Sequence, residues 1–227
     1  MSNFTTAIIS GGKSSRMGTD KALLEIGGKT MIEQIVAQTT GLGGDQIVIT
    51  NTPKRYAFLN LPMFLDVLPD KGALGGLYTA IHSASQPYAL TLACDMPFVN
   101  QPLLKHMLSL APDFDAVIPR IAPTPGPSPV GKAPDKGGEM GVEAEPFRAI
   151  YSKACLNPIR NALNAGKMRV NSFFTDIRIR WIEENEIKQF DPELLTFMNC
   201  NTPEELEEVR EIWTRMNADS QTSEVRA

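Results

Sequence analysis

The sequence has few cysteines, few histidines and no long apolar run. Its 227 residues include two histidines and three cysteines, Cys94, Cys155 and Cys200, with no CxxC pair. An odd and widely spaced set of this kind does not indicate a disulfide framework or a zinc site. The apolar runs are strand-sized, whereas a membrane-spanning helix needs about 20 apolar residues. Residues 1–6 lack the charged and apolar regions of a secretory signal. We therefore expect a cytoplasmic protein with no membrane contact.

The chain also lacks an excess of basic residues. Lys and Arg number 22 against 26 Asp and Glu, which gives a net charge of −4. A protein that binds nucleic acid without sequence preference usually has a broad basic face, so no nucleic-acid partner is expected and any anion site must be local. Apolar residues make up 42% of the chain, enough for a core of ordinary size. We expect one domain over residues 1–216.

Apolar strand patterns alternate with helical patterns along the chain. Strands are predicted at 6–10, 46–50, 63–67, 88–94, 115–119, 147–151 and 177–182. Helices are predicted at 30–39, 75–85, 103–108, 156–165 and 202–216. Such alternation is typical of parallel βαβ units with helices on both faces of the sheet. The predicted fold class is α/β, a Rossmann-like three-layer α/β/α sandwich with a mostly parallel sheet.

Two segments lack the alternating pattern. Residues 121–144 are rich in Pro and Gly without apolar periodicity, and we predict a disordered insertion without a catalytic role. A role in acceptor binding stays open, because Arg120, Lys132 and Lys136 could reach an anionic ligand. Residues 217–227 are polar and are predicted to form a disordered tail.

A Gly-rich loop follows the first predicted strand and reads Ser10-Gly-Gly-Lys-Ser-Ser-Arg-Met-Gly-Thr-Asp-Lys21. Gly11 and Gly12 let backbone N–H groups approach an anion closely, and Arg16 and Lys21 are among three cations in the loop. A triphosphate fits this chemistry. The loop matches neither the ATPase P-loop nor the dinucleotide-binding pattern. Taken alone, it is also compatible with a solvated turn.

Further polar residues follow other predicted strands, namely Asn51, Asp66 and Asp95. Ligands of parallel sheets bind beyond the carboxyl ends of the strands, so these residues are candidates for one site. Asp95 follows a buried strand and precedes Met96-Pro97. A carboxylate there suits Mg²⁺, which binds through one or two carboxylates together with substrate phosphates. The alternative is an aspartate that begins a turn; because the Gly-rich loop is also present, we favour the metal.

Four motifs are similar to those of the molybdenum cofactor guanylyltransferases, the MobA family of Rossmann-like NTP transferases. They are the loop 10–21, Gly72-Ala-Leu-Gly-Gly76, Cys94-Asp-Met-Pro97 and Asn199-Cys-Asn-Thr-Pro203. The resemblance covers nearly the whole chain outside 121–144 and the tail. It implies transfer of GMP from GTP to the terminal phosphate of a molybdopterin-type acceptor, with release of pyrophosphate. It also leaves room for transient contact with proteins that deliver or receive the cofactor.

The resemblance assigns roles to single residues. Backbone contacts to the nucleotide are implied for Ile9, Ser10 and Gly11, and the adjacent Gly12 is included as part of the same loop. The remaining implied roles are nucleotide contacts for Asn51 and Asp66, catalytic roles for Arg16, Lys21 and Asp95, Mg²⁺ coordination by Asp95, phosphate binding by Lys21, and an acceptor-side position for Asn199 and Asn201.

Three other functions fit parts of the sequence. A cytidylyltransferase acting on the same pterin, or a sugar-phosphate nucleotidyltransferase, would share the fold and differ in base or acceptor selectivity. A non-catalytic nucleotide-binding module is the alternative from another class. Lys21 and Asp95 favour an enzyme, because binding alone does not need a metal ligand beside the phosphates.

Overall fold

The computed structural model describes residues 3–11, 20–122 and 143–224. Its strands are β1 (Phe4–Ile9), β2 (Glu25–Ile26), β3 (Lys29–Thr30), β4 (Asp45–Ile49), β5 (Met63–Phe64), β6 (Tyr88–Ala93), β7 (Ala116–Ile121), β8 (Glu143–Ala144), β9 (Arg148–Ser152) and β10 (Ile179–Glu183). Its α-helices are α1 (Met31–Thr40), α2 (Gly72–Ser83), α3 (Gln101–Leu110), α4 (Leu156–Asn164), α5 (Glu184–Ile187) and α6 (Pro203–Glu224).

The main sheet has the strand order β10-β7-β9-β6-β1-β4-β5, and β8 pairs with β7. Strand β1 is parallel to both β4 and β6, as β4 is to β5 and β7 to β10. Strand β9 runs antiparallel to its neighbours β6 and β7. The predicted mostly parallel sheet is therefore confirmed. The carboxyl ends of β1, β4 and β6 lie at the same edge.

Helices cover both faces of this sheet. On one face, Ile32 and Ile35 of α1 and Leu104 of α3 belong to one buried core cluster. On the other face, Leu77 of α2 and Ile159 of α4 belong to a second cluster. The central strands β1 and β6 are buried along nearly their whole length, because apolar side chains on both faces meet a helical layer. The three-layer α/β/α arrangement predicted from the sequence is confirmed.

Several element boundaries differ from the predictions. Strand β5 ends at Phe64, and α6 runs to Glu224, past residue 216 where the sequence predicted its end. The segment 217–224, expected to belong to a disordered tail, is helical because 204–227 contains no Gly or Pro. The edges of the expected insertion 121–144 belong to β7 and β8. Residues 123–142 and 225–227 lie outside the described residues.

The short β2–β3 hairpin anchors helix α6. Trp213 of α6 stacks on Phe98 with ring centroids 5.9 Å apart, and its indole lies against the space that a side chain at Gly27 would occupy. Arg210 donates from Nε to the Glu25 carbonyl at 3.1 Å. These contacts fix the helix whose first turn directly follows the segment Asn199–Asn201.

We expect Gly27→Ala to lower the free energy of unfolding by about 2 kcal/mol more than Gly28→Ala does. Both glycines have positive φ, 58° and 78°, so both substitutions carry backbone strain. Only at Gly27 would the new methyl group meet Trp213, whereas Gly28 faces open space. Urea unfolding of the two variants measures the difference. Equal losses would show that the indole yields without cost.

Candidate active site

Four segments meet at the carboxyl edge of the sheet. The backbone ladder continues past the strand ends: Ser10 N–H donates to Ile49 O at 2.9 Å, and Cys94 N–H donates to Ile9 O at 3.2 Å. Cys200 N–H donates to Asp95 O at 2.8 Å, which joins the Asn-Cys-Asn-Thr-Pro motif to the turn after β6. The residues predicted from three separate motifs therefore lie at one edge.

Lys21 connects the N-terminal Gly-rich loop to the C-terminal segment that contains Asn201. Its Nζ donates to Asn201 Oδ1 at 2.7 Å, across 180 positions of sequence. Glu205 holds the backbone on the other side of this contact, because its Oε2 accepts from the N–H groups of Asn201 and Thr202 at 2.5 and 3.1 Å. Asn199 lies in the same segment and is half-buried.

Two residues near the ends of the Gly-rich loop, Ser10 and Asp20, are linked through a tyrosine. Ser10 Oγ donates to the Tyr56 hydroxyl at 2.5 Å, and that hydroxyl donates to Asp20 Oδ2 at 2.6 Å. The second carboxylate oxygen of Asp20 accepts from Ala22 N at 3.3 Å and caps the 3₁₀ turn Lys21–Leu23. Tyr56 is 2% exposed, and burial with the Asp20 contact raises its pKa well above the usual range.

Asp95 is a half-buried carboxylate with cations nearby. Burial raises its pKa, and the charges of Lys21 and Arg148 act in the opposite direction. Among the described residues, no other side chain donates a hydrogen bond to this carboxylate. A backbone hydrogen bond also lowers the pKa of this carboxyl. Carboxylate oxygens are ligands that a hard cation prefers.

Arg148 lies beneath the Asp95 turn and is fully buried. Its Nη2 donates to the Met96 carbonyl at 2.7 Å, whereas Nε and Nη1 have no hydrogen-bond partner among the described residues. Burial lowers its pKa to about 10, although Asp95 and other carboxylates favour the charged form. The guanidinium thus supports the turn from inside and adds positive charge behind Asp95.

Asn51 and Asp66 form a reciprocal pair beyond β4 and β5. Asn51 Nδ2 donates to Asp66 Oδ2 at 2.7 Å, and Asp66 N–H donates to Asn51 Oδ1 at 3.1 Å. Asn51 is exposed and Asp66 is half-buried. Each side chain thus fixes the orientation of the other, and the pair remains partly exposed to solvent. This arrangement can present polar atoms to a ligand.

The remaining predicted site residues are placed only in part. Ile9 ends β1, and Gly11 is exposed, with no described atom within 4 Å of the position that a Cβ would take. Gly12 and Arg16 lie outside the described residues. Within the described ranges there is no group of three or more His, Cys, Asp or Glu side chains arranged to hold a metal. No helix in those ranges is long and apolar enough to span a membrane.

Sequence reasoning did not identify three residues that support the site. Asp20 has a detectable signal, because an aspartate before a helical turn is a favoured cap. Tyr56 has no such signal, since it lies in a 3₁₀ helix between two strands. Arg148 begins an otherwise apolar strand, and only its buried position reveals its function.

The mostly parallel sheet of this three-layer fold, with polar residues gathered at the carboxyl ends of its strands, is typical of Rossmann-like proteins that bind nucleotides. Residues 6–177 match the sequence profile of the MobA-like NTP transferase domain. The chain is 32% identical to the molybdenum cofactor guanylyltransferase of Desulfosudis oleivorans over 91% of its length and 94% of the relative's. The chain therefore belongs to the MobA-like NTP transferase family.

Solved structures support the fold. The molybdopterin-guanine dinucleotide biosynthesis protein A of Archaeoglobus fulgidus superposes with a TM-score of 0.72 at 22% identity, covering 93% of this chain and 99% of that one. The 2-C-methyl-D-erythritol 4-phosphate cytidylyltransferase of Thermus thermophilus reaches 0.62 at 17% identity, with 91% and 96% covered. Because the fold accommodates different nucleotidyl transfers, it does not determine the base.

Proposed function

We propose that this protein is a cytoplasmic guanylyltransferase that moves GMP from GTP to the terminal phosphate of a molybdopterin-type acceptor and releases pyrophosphate. The observation that carries the proposal is the Lys21–Asn201 contact beside the Asp95 turn. It brings together Lys21, Asp95 and Asn201, which we propose as the phosphate-binding cation, the metal ligand and the acceptor-side amide. Family membership and the name of the Desulfosudis relative support the same reaction.

The reaction needs positioned charge more than proton transfer. An oxygen of the acceptor phosphate attacks the α-phosphorus of GTP, and the bond from that phosphorus to the bridging oxygen of pyrophosphate breaks. The acceptor phosphate is already ionised near neutral pH, so no general base is required. Lys21 and the loop N–H groups stabilise charge that develops on the departing pyrophosphate. Arg16 is proposed to add to this stabilisation.

The histidines agree with a mechanism that needs no base. His82 stacks on Tyr78, with ring centroids 5.8 Å apart. His106 bonds through Nε2 to Glu186 at 2.7 Å and stacks on Phe190. Both rings have structural partners outside the site described above.

The residues present fit a single Mg²⁺ ion shared with the substrate. Asp95 would supply one carboxylate, and the other ligands would be phosphate oxygens and water, which is the usual pattern for this ion. Bound there, the ion would neutralise charge on the reacting phosphates. Lys21, which donates to Asn201, would add a second positive charge to this region.

The remaining assignments place the nucleotide and the acceptor on either side of Lys21. The nucleotide is proposed to lie over Ile9, Ser10, Gly11 and Gly12, with Asn51 and Asp66 contacting it beyond β4. The acceptor is proposed to approach from Asn199 and Asn201. Proteins that deliver or receive the cofactor would make transient contacts on that side.

We expect GTP to be the preferred donor by at least about tenfold over CTP and ATP. The test is one incubation of the protein with all three nucleotides, Mg²⁺ and molybdenum cofactor, followed by mass analysis of the dinucleotide product. A product that carries GMP supports the proposal. A CMP product would identify a cytidylyltransferase of the same fold, and binding without product would identify a nucleotide-binding module.

A further inference from the structure

A buried hydroxyl joins the two ends of the Gly-rich loop. Ser10 directly follows β1, and Asp20 caps the turn that carries Lys21. Tyr56 comes from neither segment but from the 3₁₀ helix Pro53–Leu59 after β4. Its hydroxyl accepts from Ser10 and donates to Asp20 at 2.5 and 2.6 Å, so one group fixes two segments.

The orientation of Lys21 depends on the same carboxylate. Asp20 Oδ2 accepts from Tyr56, and Asp20 Oδ1 accepts from Ala22 N as the cap of the turn Lys21–Leu23. The turn is also closed by Leu23 N–H on the Asp20 carbonyl at 3.0 Å. Rotation of this carboxylate would therefore disturb the backbone of Lys21 and the reach of its Nζ to Asn201.

Other partners of Asp20 are weaker than the tyrosine. Arg55 Nη1 lies 3.5 Å from Asp20 Oδ2, and its side chain is 61% exposed. An exposed ion pair of this length contributes little, whereas a short hydrogen bond from a buried donor to a carboxylate is among the stronger kinds. Tyr56 is thus the main constraint on that oxygen.

We propose that Tyr56 positions other residues for triphosphate binding. Its hydroxyl orients Lys21 through Asp20, and it fixes the end of β1 through Ser10. The inference rests on the proposed function only in that Lys21 binds phosphates. Tyr56 is buried and its hydroxyl bonds to Ser10 and Asp20, so its proposed role is to position these groups and not to take part in the chemistry.

The test compares Tyr56→Phe with Tyr151→Phe. Tyr151 is also fully buried, and its hydroxyl donates to Pro146 O at 3.0 Å, so the control loses one buried hydrogen bond elsewhere. We expect Tyr56→Phe to weaken binding of inorganic tripolyphosphate with Mg²⁺ about tenfold by calorimetry. It should raise KM for GTP by a similar factor while kcat at saturating GTP changes less than about threefold. Tyr151→Phe should change none of these values.

Amide hydrogen exchange of the ligand-free protein tests the geometry separately. In Tyr56→Phe, exchange at Ala22 and Leu23 should be faster, while Glu33, the capped amide at the start of α1, is unchanged. Asp20→Asn should act in the same direction, and adding it to Tyr56→Phe should cost less than the sum of the single effects.

The outcomes separate the inference from the proposed function. Tripolyphosphate binding that weakens in Tyr56→Phe supports the positioning role even when the wild-type protein transfers no GMP, and that second result would refute the proposed function alone. Unchanged exchange at Ala22 and Leu23 overturns the inference. So does a wild-type protein that does not bind tripolyphosphate, or an equal loss in Tyr56→Phe and Tyr151→Phe.

Discussion

Asp95→Asn is expected to reduce turnover at least about 100-fold while the protein stays folded. Asparagine keeps the shape of the side chain but loses the charge that a divalent cation needs. Within residues 3–11, 20–122 and 143–224 no side chain donates a hydrogen bond to this carboxylate, so the change breaks no side-chain hydrogen bond in those ranges. Burial already opposes its ionised form. Removing the charge should therefore leave thermal stability equal or slightly higher.

The measurement is kcat at saturating GTP and acceptor over a Mg²⁺ titration, with thermal unfolding in parallel. Asp115→Asn is the matched control, because Asp115 pairs with Arg178 at 3.2 Å at the other end of the sheet. The control should lose some stability and keep its turnover. Near wild-type turnover in Asp95→Asn would show that the residue only begins a turn.

The sequence predicts the layers of the fold well and one strand direction poorly. Ala7 and Ile8 in β1, and Ala89 and Leu90 in β6, are buried apolar neighbours that point to opposite faces, which indicates strands covered by helices on each side. The antiparallel direction of β9 has no such signal, because a buried strand has the same apolar pattern whether it runs parallel or antiparallel to its neighbours. The structure shows that β9 runs antiparallel to both β6 and β7.

Some residues of the candidate site can be predicted from the sequence, and others cannot. Ser10, Lys21 and Asp95 belong to contiguous motifs, and the chemistry of such motifs can be read before the fold is known. Tyr56 and Arg148 act across the fold, on Asp20 and on the Met96 carbonyl. Their contributions depend on burial and on contacts with residues far away in the sequence. Neither can be read directly from a single sequence.

Lys21→Ala is expected to raise the Kd for GTP by about 10- to 100-fold and the Kd for guanosine by less than about twofold. The lysine carries its charge at the end of a chain whose position is set by Asn201 and by the Asp20 cap. A cation there attracts phosphates and has no reason to contact the base.

Calorimetry with the two ligands measures this contrast. Lys188→Ala is the control, since that lysine makes an exposed i,i+4 pair with Glu184 at 2.5 Å and should affect neither ligand. Asn201→Ala gives a second test: it frees Lys21 without removing its charge, so GTP affinity should fall by less than in Lys21→Ala. Equal losses for GTP and guanosine in Lys21→Ala would contradict phosphate binding, because a residue that reads the triphosphate must distinguish a ligand that has one from a ligand that does not.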